Sequence, residues 1–372
     1  MSNTLYKRTS AGAIQQWTIQ VEQGCYRTIS GQLNGKLVTS SWTQCEGKNL
    51  GKTNETTPTQ QALSEAESRT KFKLKEGYVD DLNDVGDKAK FVVALCKEYK
   101  DYKNKITFPC YTQPKLDGIR NNVSEGRGME TRGYKQTMSC PHIYKVLSQL
   151  FVHFPDIIID GELYNHKLKN NFNKLTSLIG TQKPSQEHLN KTEVLVKFYV
   201  FDILLEGERS MHLPFSERWD NVKSIIEGIH KCIEIVPTIK CNNHEEIDAA
   251  YKMYRDMGYE GQIIRMDVGY KEDYSSNILK RKDFVDEEFE LLGFEEGKGK
   301  MKGIAAKANF IHPNGKVFNT GILGKLDYCK MLFENQDKFI GMPVTVKYQD
   351  LTSNDGNGVP RFGKMKAIRD YE

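Results

Sequence analysis

Between residues 107 and 284, four apolar runs, FPCYTQPKLD, FPDIIIDGELY, VLVKFYVFDIL and GQIIRM, alternate with stretches whose apolar residues recur at helical spacing. The helical stretches lie around His142 to Phe151, Asn170 to Leu178, Pro214 to Ile229 and Glu245 to Met257. Short runs rich in β-branched and aromatic residues form strands, and the helices between them cover the sheets that result. The expectation for this region is an α+β domain with antiparallel sheets. At 372 residues the chain exceeds what one hydrophobic core usually serves, so further domains should flank it.

Residues 1 to about 50 alternate apolar and polar positions in WTIQVE, YRTISG and GKLVTSSWTQC, which predicts a small antiparallel sheet. Asn34-Gly35 is a hairpin signal, because both residues accept the positive φ of a tight turn. Thr57-Pro58 opens a helix that runs through ALSEAESRTKFKLK. A second helix is predicted from Gly86 to Lys105, with Phe91, Ala94, Leu95 and Tyr99 on one face. From Glu287 onward, Gly-punctuated strands (FELLGFEEG, ANFIHPNGKVFN, MPVTVKYQDLT, FGKMKAIRD) fit a small barrel of the oligonucleotide/oligosaccharide-binding (OB) type. The predicted domains are 1–75, 76–284 and 285–372.

A formal charge of +4 permits nucleic-acid binding without requiring it. The eight cysteines form no CxxC pair and have no nearby His to complete a ligand set, which argues against zinc and for reduced thiols. There is no apolar signal region at the N-terminus and no apolar stretch of membrane-spanning length. An intracellular, cytoplasmic protein is expected, a virus-encoded one included.

The strongest local signal is YTQPKLDGIR, which places Lys115 in KxDGxR after a strand-like run. A lysine acts as a nucleophile only when unprotonated, so burial or neighbouring cations should lower its pKa. ILKRKDF offers such cations, with Lys280 and Lys282 on one face of a strand and Arg281 on the other. IIIDGELY puts Asp160 and Glu162 on one face, and YEGQIIR sets Glu260 at the entrance to another strand. Carboxylates facing lysines suit phosphoryl or nucleotidyl transfer assisted by Mg²⁺, a hard cation that takes oxygen ligands. KFYVFDIL adds Phe201, an aromatic ring able to stack on a base, and Asp202. Taken singly, each signal has a plainer explanation: a surface lysine, a solvated turn, a core phenylalanine, an exposed strand face. Only the ordered combination points to chemistry.

That combination, KLDGIR, TRG, DGEL, FYVFD, EGQIIR and LKRK in order, resembles the covalent nucleotidyltransferases, and within them the phage-type ATP-dependent DNA ligases. The resemblance implies a nucleotidyltransferase core with ATP-grasp-like antiparallel sheets, followed by an OB barrel. It implies that Lys115 takes AMP from ATP, with Mg²⁺ or Mn²⁺, and passes it to the 5′-phosphate of a nick in duplex DNA for sealing by the 3′-hydroxyl. Arg120 and Glu162 would contact the ribose, Phe201 and Gln113 the adenine, and Lys280 and Lys282 the α-phosphate. Glu260, with Glu162, would support the metal, Asp117 would serve the later steps, and Arg132 would meet the 5′-phosphate. Lys298, Lys300 and Lys302 would contact DNA. Pro360-Arg361-Phe362 and the following Lys364, Lys366 and Arg369 resemble the ending that orients departing pyrophosphate.

The first 75 residues resemble a WGR-like module, although the Trp-Gly-Arg triplet is absent. Trp17, Tyr26, Arg27, Trp42, Lys48 and Lys52 are candidates for a DNA-backbone surface there, while Trp17 and Trp42 also read as core. A monomer without membrane attachment is expected. RNA ligase, mRNA capping guanylyltransferase and a non-catalytic DNA-end-binding protein are the competing readings.

Overall fold

Gln23 and Gly24 both adopt positive φ (45° and 79°), the backbone twist that joins two antiparallel strands most tightly. They link β2 (Ile14–Glu22) to β3 (Cys25–Gln32), and β1 (Ser2–Arg8) pairs with the far side of β2. Asn34, at φ 62°, turns the chain into β4 (Leu37–Thr39), and β5 (Thr43–Gln44) closes the sheet against β3. The computed structural model describes residues 2–9, 11–86, 91–169, 171–298, 301–352 and 358–369. These fall into two units, one of residues 1–90, 286–348 and 362–372, the other of 91–285 and 349–361.

In the first unit, α1 (Pro58–Lys75) begins at a capping box, in which Thr57 and Gln60 each satisfy the other's backbone N–H. Its Ala62 and Ala66 pack on Leu5, Trp17, Ile19 and Tyr26. Trp17 and Tyr26 are thus core residues, not part of an exposed DNA surface. Trp42 departs from the core expectation: it is exposed, with the Arg27 guanidinium 4.5 Å from its ring centre. Lys48 lies 3.5 Å from Glu65.

The second unit starts where a helix was expected. Residues 94–98 instead form β6 (Ala94–Glu98), followed by a single helical turn, α2 (Tyr99–Tyr102). The helical spacing of Phe91, Ala94 and Leu95 misleads because Phe91, Val93 and Ala94 are buried with Leu204, Tyr270 and Ile278, contacts made in extended backbone. The Ala94 N–H donates to the Tyr270 hydroxyl (2.8 Å).

The strands that follow in chain order are β7 (Cys110–Lys115), β8 (Ile119–Ser124) and β9 (Gly128–Thr131). After α3 (Pro141–Leu147) come β10 (Ile158–Tyr164), α4 (Phe172–Gly180), α5 (Gln186–Leu195) and β11 (Lys197–Leu204). Then α6 (Phe215–Ile226), β12 (Ile233–Ile235), β13 (Ile239–Cys241), α7 (His244–Asp256), β14 (Gly261–Met266) and β15 (Asp273–Lys282) complete the set. They make two five-stranded sheets, ordered β12-β11-β10-β8-β9 and β13-β7-β14-β15-β6. Each carries one parallel pair, β11 with β12 and β15 with β6, so the sheets are mixed where wholly antiparallel ones were expected. The α+β class holds. The largest core gathers Val123, Ile159, Leu163, Phe198 and Val200 from the first sheet with Ile143, Leu175 and Phe215 from helices.

The chain then returns to the first unit. There β16 (Val285–Glu296), β17 (Ala305–Ile311), β18 (Val317–Ile322), β19 (Pro343–Tyr348) and a later strand close a barrel, with α8 (Leu326–Glu334) between β18 and β19. β20 (Asp350–Leu351) and β21 (Pro360–Arg361) pair with each other in the second unit, and β22 (Lys364–Ile368) supplies the barrel's fifth strand. No helix among the described residues is long and apolar enough to cross a membrane.

Candidate active site

Register decides which residues meet. Lys115, at the end of β7, pairs with Gly261 of β14, which pairs on its other side with Lys282 of β15. Two residues along, Gln113, Ile263 and Lys280 form a second row across the same strands. Because side chains alternate between faces, both rows project to the same side. Gly261 is required at the centre: a Cβ there would sit 2.1 Å from the Arg281 carbonyl oxygen. Arg281 points the opposite way, pairing with Asp248 and lying 4.1 Å from the Tyr251 ring centre. The expected separation of Lys280 and Lys282 from Arg281 is present.

The other sheet supplies Arg120 (β8), Glu162 (β10) and Phe201 (β11). Glu162 stands opposite Arg120 in the register. Next to it β10 bulges at Asp160 and Gly161, and a Cβ on Gly161 would lie 2.6 Å from the Phe198 ring. Together the two sheets line a cavity of about 280 Å³, with Lys115, Arg120, Glu162, Phe201, Lys280 and Lys282 on its walls. Gln113 and Arg132 also line it. Small-molecule sites start at about 300 Å³.

Charge around Lys115 differs from the sequence expectation. Its ammonium donates to Glu260, and Lys282 reaches the other oxygen of that carboxylate at 3.2 Å. Burial pushes the Lys115 pKa down, but the charge and hydrogen bond of Glu260, with Glu162 and Asp117 behind it, outweigh burial and hold it above the ordinary lysine value. The nucleophile candidate is therefore stored protonated when no ligand is bound. Lys282 moves the other way: burial, aided by the positive charges of Lys115 and Lys280 against the pull of Glu260, lowers it. Glu260 stays below the usual carboxylate range because Lys115 and Lys282 override its burial. Glu162 has no such surplus, and burial raises its carboxyl to about 8 despite Lys115 and Arg120.

Arg120 does not stand ready for a ligand hydroxyl alone. It forks onto Asp160, and its Nη1 donates to the Ala94 carbonyl (2.6 Å). Lys280 is 3.2 Å from Glu98 of the parallel neighbour β6. Asp117 accepts two hydrogen bonds from Arg361 (2.5 and 2.7 Å), whose guanidinium stacks 3.6 Å from the Phe172 ring centre. Arg361 was read in the sequence only as part of the Pro360-Arg361-Phe362 ending, since its partner Asp117 lies 244 residues away and no spacing reveals the pair. Arg265, Tyr274 and Leu95 are further cavity residues that sequence reasoning missed.

The three C-terminal cations belong to the barrel strand β22 and the residues after it. Lys366 pairs with Asp286 (2.5 Å), Arg369 lies 3.3 Å from Glu288 and donates to the Thr345 hydroxyl, and Lys364 is exposed. Lys298 and Lys302 are exposed, and Lys300 lies outside the described residues.

Residues 91–282, which carry every group on the cavity wall, match the ATP-dependent DNA ligase domain family. Among curated proteins, the DNA ligase of African swine fever virus is 27% identical over 270 residues, covering 68% of this chain and 60% of the viral protein. The Haemophilus influenzae DNA ligase is 27% identical over 263 residues, covering 70% of this chain and 87% of that enzyme. The phage T6 DNA ligase is 23% identical over 317 residues, covering 71% and 64%. The chain thus spans about six-tenths of the length of its viral relatives. Among solved structures, a Lig E DNA ligase shares the fold at a TM-score of 0.60 and 21% identity, over 75% of this chain and 99% of that one. Pmar-Lig PreS3 does so at 0.64 and 20%, over 76% and 68%. With more than half its length matched by that family, the chain belongs to the ATP-dependent DNA ligases.

Proposed function

We propose that the protein seals 5′-phosphate/3′-hydroxyl nicks in duplex DNA, at the expense of ATP, through a lysyl-AMP intermediate on Lys115. The observation that carries this reading is the row of Lys115, Gly261 and Lys282 on three adjacent strands, with Glu260 bridging the two lysines at the cavity. In the first step Lys115 gives up its ammonium proton to solvent and its lone pair forms an N–P bond to the α-phosphorus. The bond to the bridging oxygen breaks, pyrophosphate leaves, and the nitrogen sheds a second proton to water. Lys280 and Lys282 are fixed donors for the charge that builds on the α-phosphate. An oxygen of the nick's 5′-phosphate then displaces the lysine, the N–P bond breaks and the nitrogen takes back two protons from water to return to the ammonium. Finally the 3′-hydroxyl oxygen attacks the 5′-phosphorus, its proton is lost, and AMP departs.

Phe201 is the stacking surface for adenine, with Gln113 at the base edge and Arg120 and Glu162 toward the ribose. Arg132 serves the 5′-phosphate. Asp117, held by Arg361, serves the later steps. The donor set fits a Mg²⁺ or Mn²⁺ ion carried by the nucleotide. Glu162 and Glu260 offer carboxylate oxygens beside the nucleophile, while the described residues contain no cluster of three or more His, Cys, Asp or Glu able to cage an ion. When bound, such an ion would neutralise phosphate charge.

The domain reading is 1–75 as a DNA-contacting module, 76–284 as the ATP-grasp-like adenylation domain and 285–372 as an OB barrel. Lys298, Lys300 and Lys302 would meet DNA phosphates and Lys364, Lys366 and Arg369 the pyrophosphate, in a monomer working inside the cell. The test is incubation with Mg²⁺ and α-labelled ATP, α-labelled GTP or labelled NAD⁺, followed by nicked DNA and RNA-containing duplexes. ATP should leave covalent label that survives denaturant and alkali, is released by acid, and is lost in Lys115→Ala, and the DNA nick should close. Labelling by GTP alone would sink the reading.

A further inference from the structure

Behind Phe201 runs a chain of hydrogen bonds whose direction is set by one residue. Arg265, on the same face of β14 as Gly261 and Ile263, is buried, and its Nη1 donates to Asp202 (2.8 Å). Its Nε donates to the side-chain oxygen of Gln113 (2.8 Å). Arginine has no acceptor, so the Gln113 amide must turn its oxygen, not its NH₂, toward Arg265. The amide nitrogen consequently faces the Thr238 hydroxyl (2.9 Å) and the Phe201 carbonyl (3.4 Å). Thr238 donates its own proton to the Val236 carbonyl (3.1 Å), leaving its oxygen free to accept. Every proton between Asp202 and Val236 is thereby placed.

What remains for a ligand is specific. Gln113 lines the cavity, both amide hydrogens point at protein acceptors, and the unspent capacity is the second lone pair on its oxygen. We infer that Arg265 is a positioning residue for base selection: by fixing the Gln113 amide it presents an acceptor to the purine edge, which suits the exocyclic amine of adenine and repels the carbonyl oxygen of guanine. A free glutamine would not discriminate, because rotating the amide by half a turn exchanges acceptor for donor. Asp202 anchors the arrangement, held ionised although buried by Arg218 and Arg265. The inference rests on the nucleotide-binding reading given above.

The test compares self-labelling by ATP and GTP, and separately the affinity for AMP and GMP by calorimetry, in the full chain. Arg265→Met should lower the ATP-to-GTP labelling ratio and the AMP-to-GMP affinity ratio by about tenfold or more, since a flipped amide trades one unmade hydrogen bond for another. Gln113→Glu should keep the adenine preference, because a carboxylate held by Arg265 still offers an acceptor. Should Arg265→Met fail to fold, Arg265→Gln, whose amide can donate or accept and so no longer dictates the orientation of Gln113, is expected to shift both ratios the same way. Equal losses with both nucleotides, leaving the ratios unchanged, would reduce Arg265 to a scaffold role and overturn the inference. A wild-type protein that binds neither AMP nor GMP fails at the earlier reading, and the inference falls with it.

Discussion

Replacing Glu260 by Gln keeps the shape of the side chain and removes the charge that stores Lys115 as an ammonium. Two unit charges about 4 Å apart at an effective dielectric near 20 interact by about 4 kcal/mol. Lys115 retains some contact with water, its side chain being 22% exposed, and Glu162 and Asp117 continue to favour its charged form. The Lys115 pKa is therefore expected to fall, by less than the bare pair interaction implies. Lys282, which shares the same carboxylate at 3.2 Å, adds repulsion that the variant no longer offsets. The measurement is competitive acylation of the nucleotide-free protein across pH 6 to 11, with the Lys115 peptide quantified by mass spectrometry. It requires neither metal nor turnover, so a loss of activity in Glu260→Gln does not blur it. An apparent pKa that stays put or rises in the variant would refute the view that Glu260 governs the protonation of Lys115.

Three further outcomes follow from buried charge and close packing. Glu162 binds its proton more tightly in the folded protein (about 8) than in the unfolded chain (4.5), so its contribution to stability is complete below about 4.5 and is lost as pH rises through about 8. Denaturation midpoints should show up to about 1.4 kcal/mol per pH unit of decline from this group, and Glu162→Gln should flatten it. Asp202→Asn strands the Arg218 and Arg265 guanidiniums, buried at 3% and 5% exposure, and should cost about 3–5 kcal/mol in calorimetric or chemical unfolding. Gly161→Ala forces a methyl group against the Phe198 ring and the Tyr199 carbonyl and should destabilise by about 1–3 kcal/mol, read by the same unfolding curves.

The sequence made legible whatever depends on side-chain alternation within one strand. Lys280 and Lys282 part from Arg281 in LKRK by period two alone, and Thr57-Pro58 announces α1 through capping chemistry that needs no distant partner. It hid what depends on pairing between strands. The parallel union of β6 with β15 joins residues 94–98 to 273–280, and without it the spacing of Phe91, Ala94 and Leu95 reads equally well as a helix. The same blindness applies to charge: the neighbouring cations of Lys115 could be foreseen, but the contact with Glu260, which reverses the sign of its pKa shift, is created by the register of β14 on β7. Asp202 was visible as an acid within an apolar run, whereas its two arginine partners were not, because Arg218 comes from a helix and Arg265 from the other sheet.

The contact between Lys115 and Glu260 spans 145 residues of chain. At a synthesis rate of roughly 5–20 residues per second, β7 leaves the ribosome about 7–30 seconds before the strand that completes its site. During that interval the lysine lacks both its carboxylate and the neighbouring strand that positions it, so an interrupted translation product ending before Gly261 carries KLDGIR without the surroundings of the proposed nucleophile. The proposed chemistry therefore needs nearly the whole of residues 91–282, the stretch that matches the ligase domain family, to be made and folded.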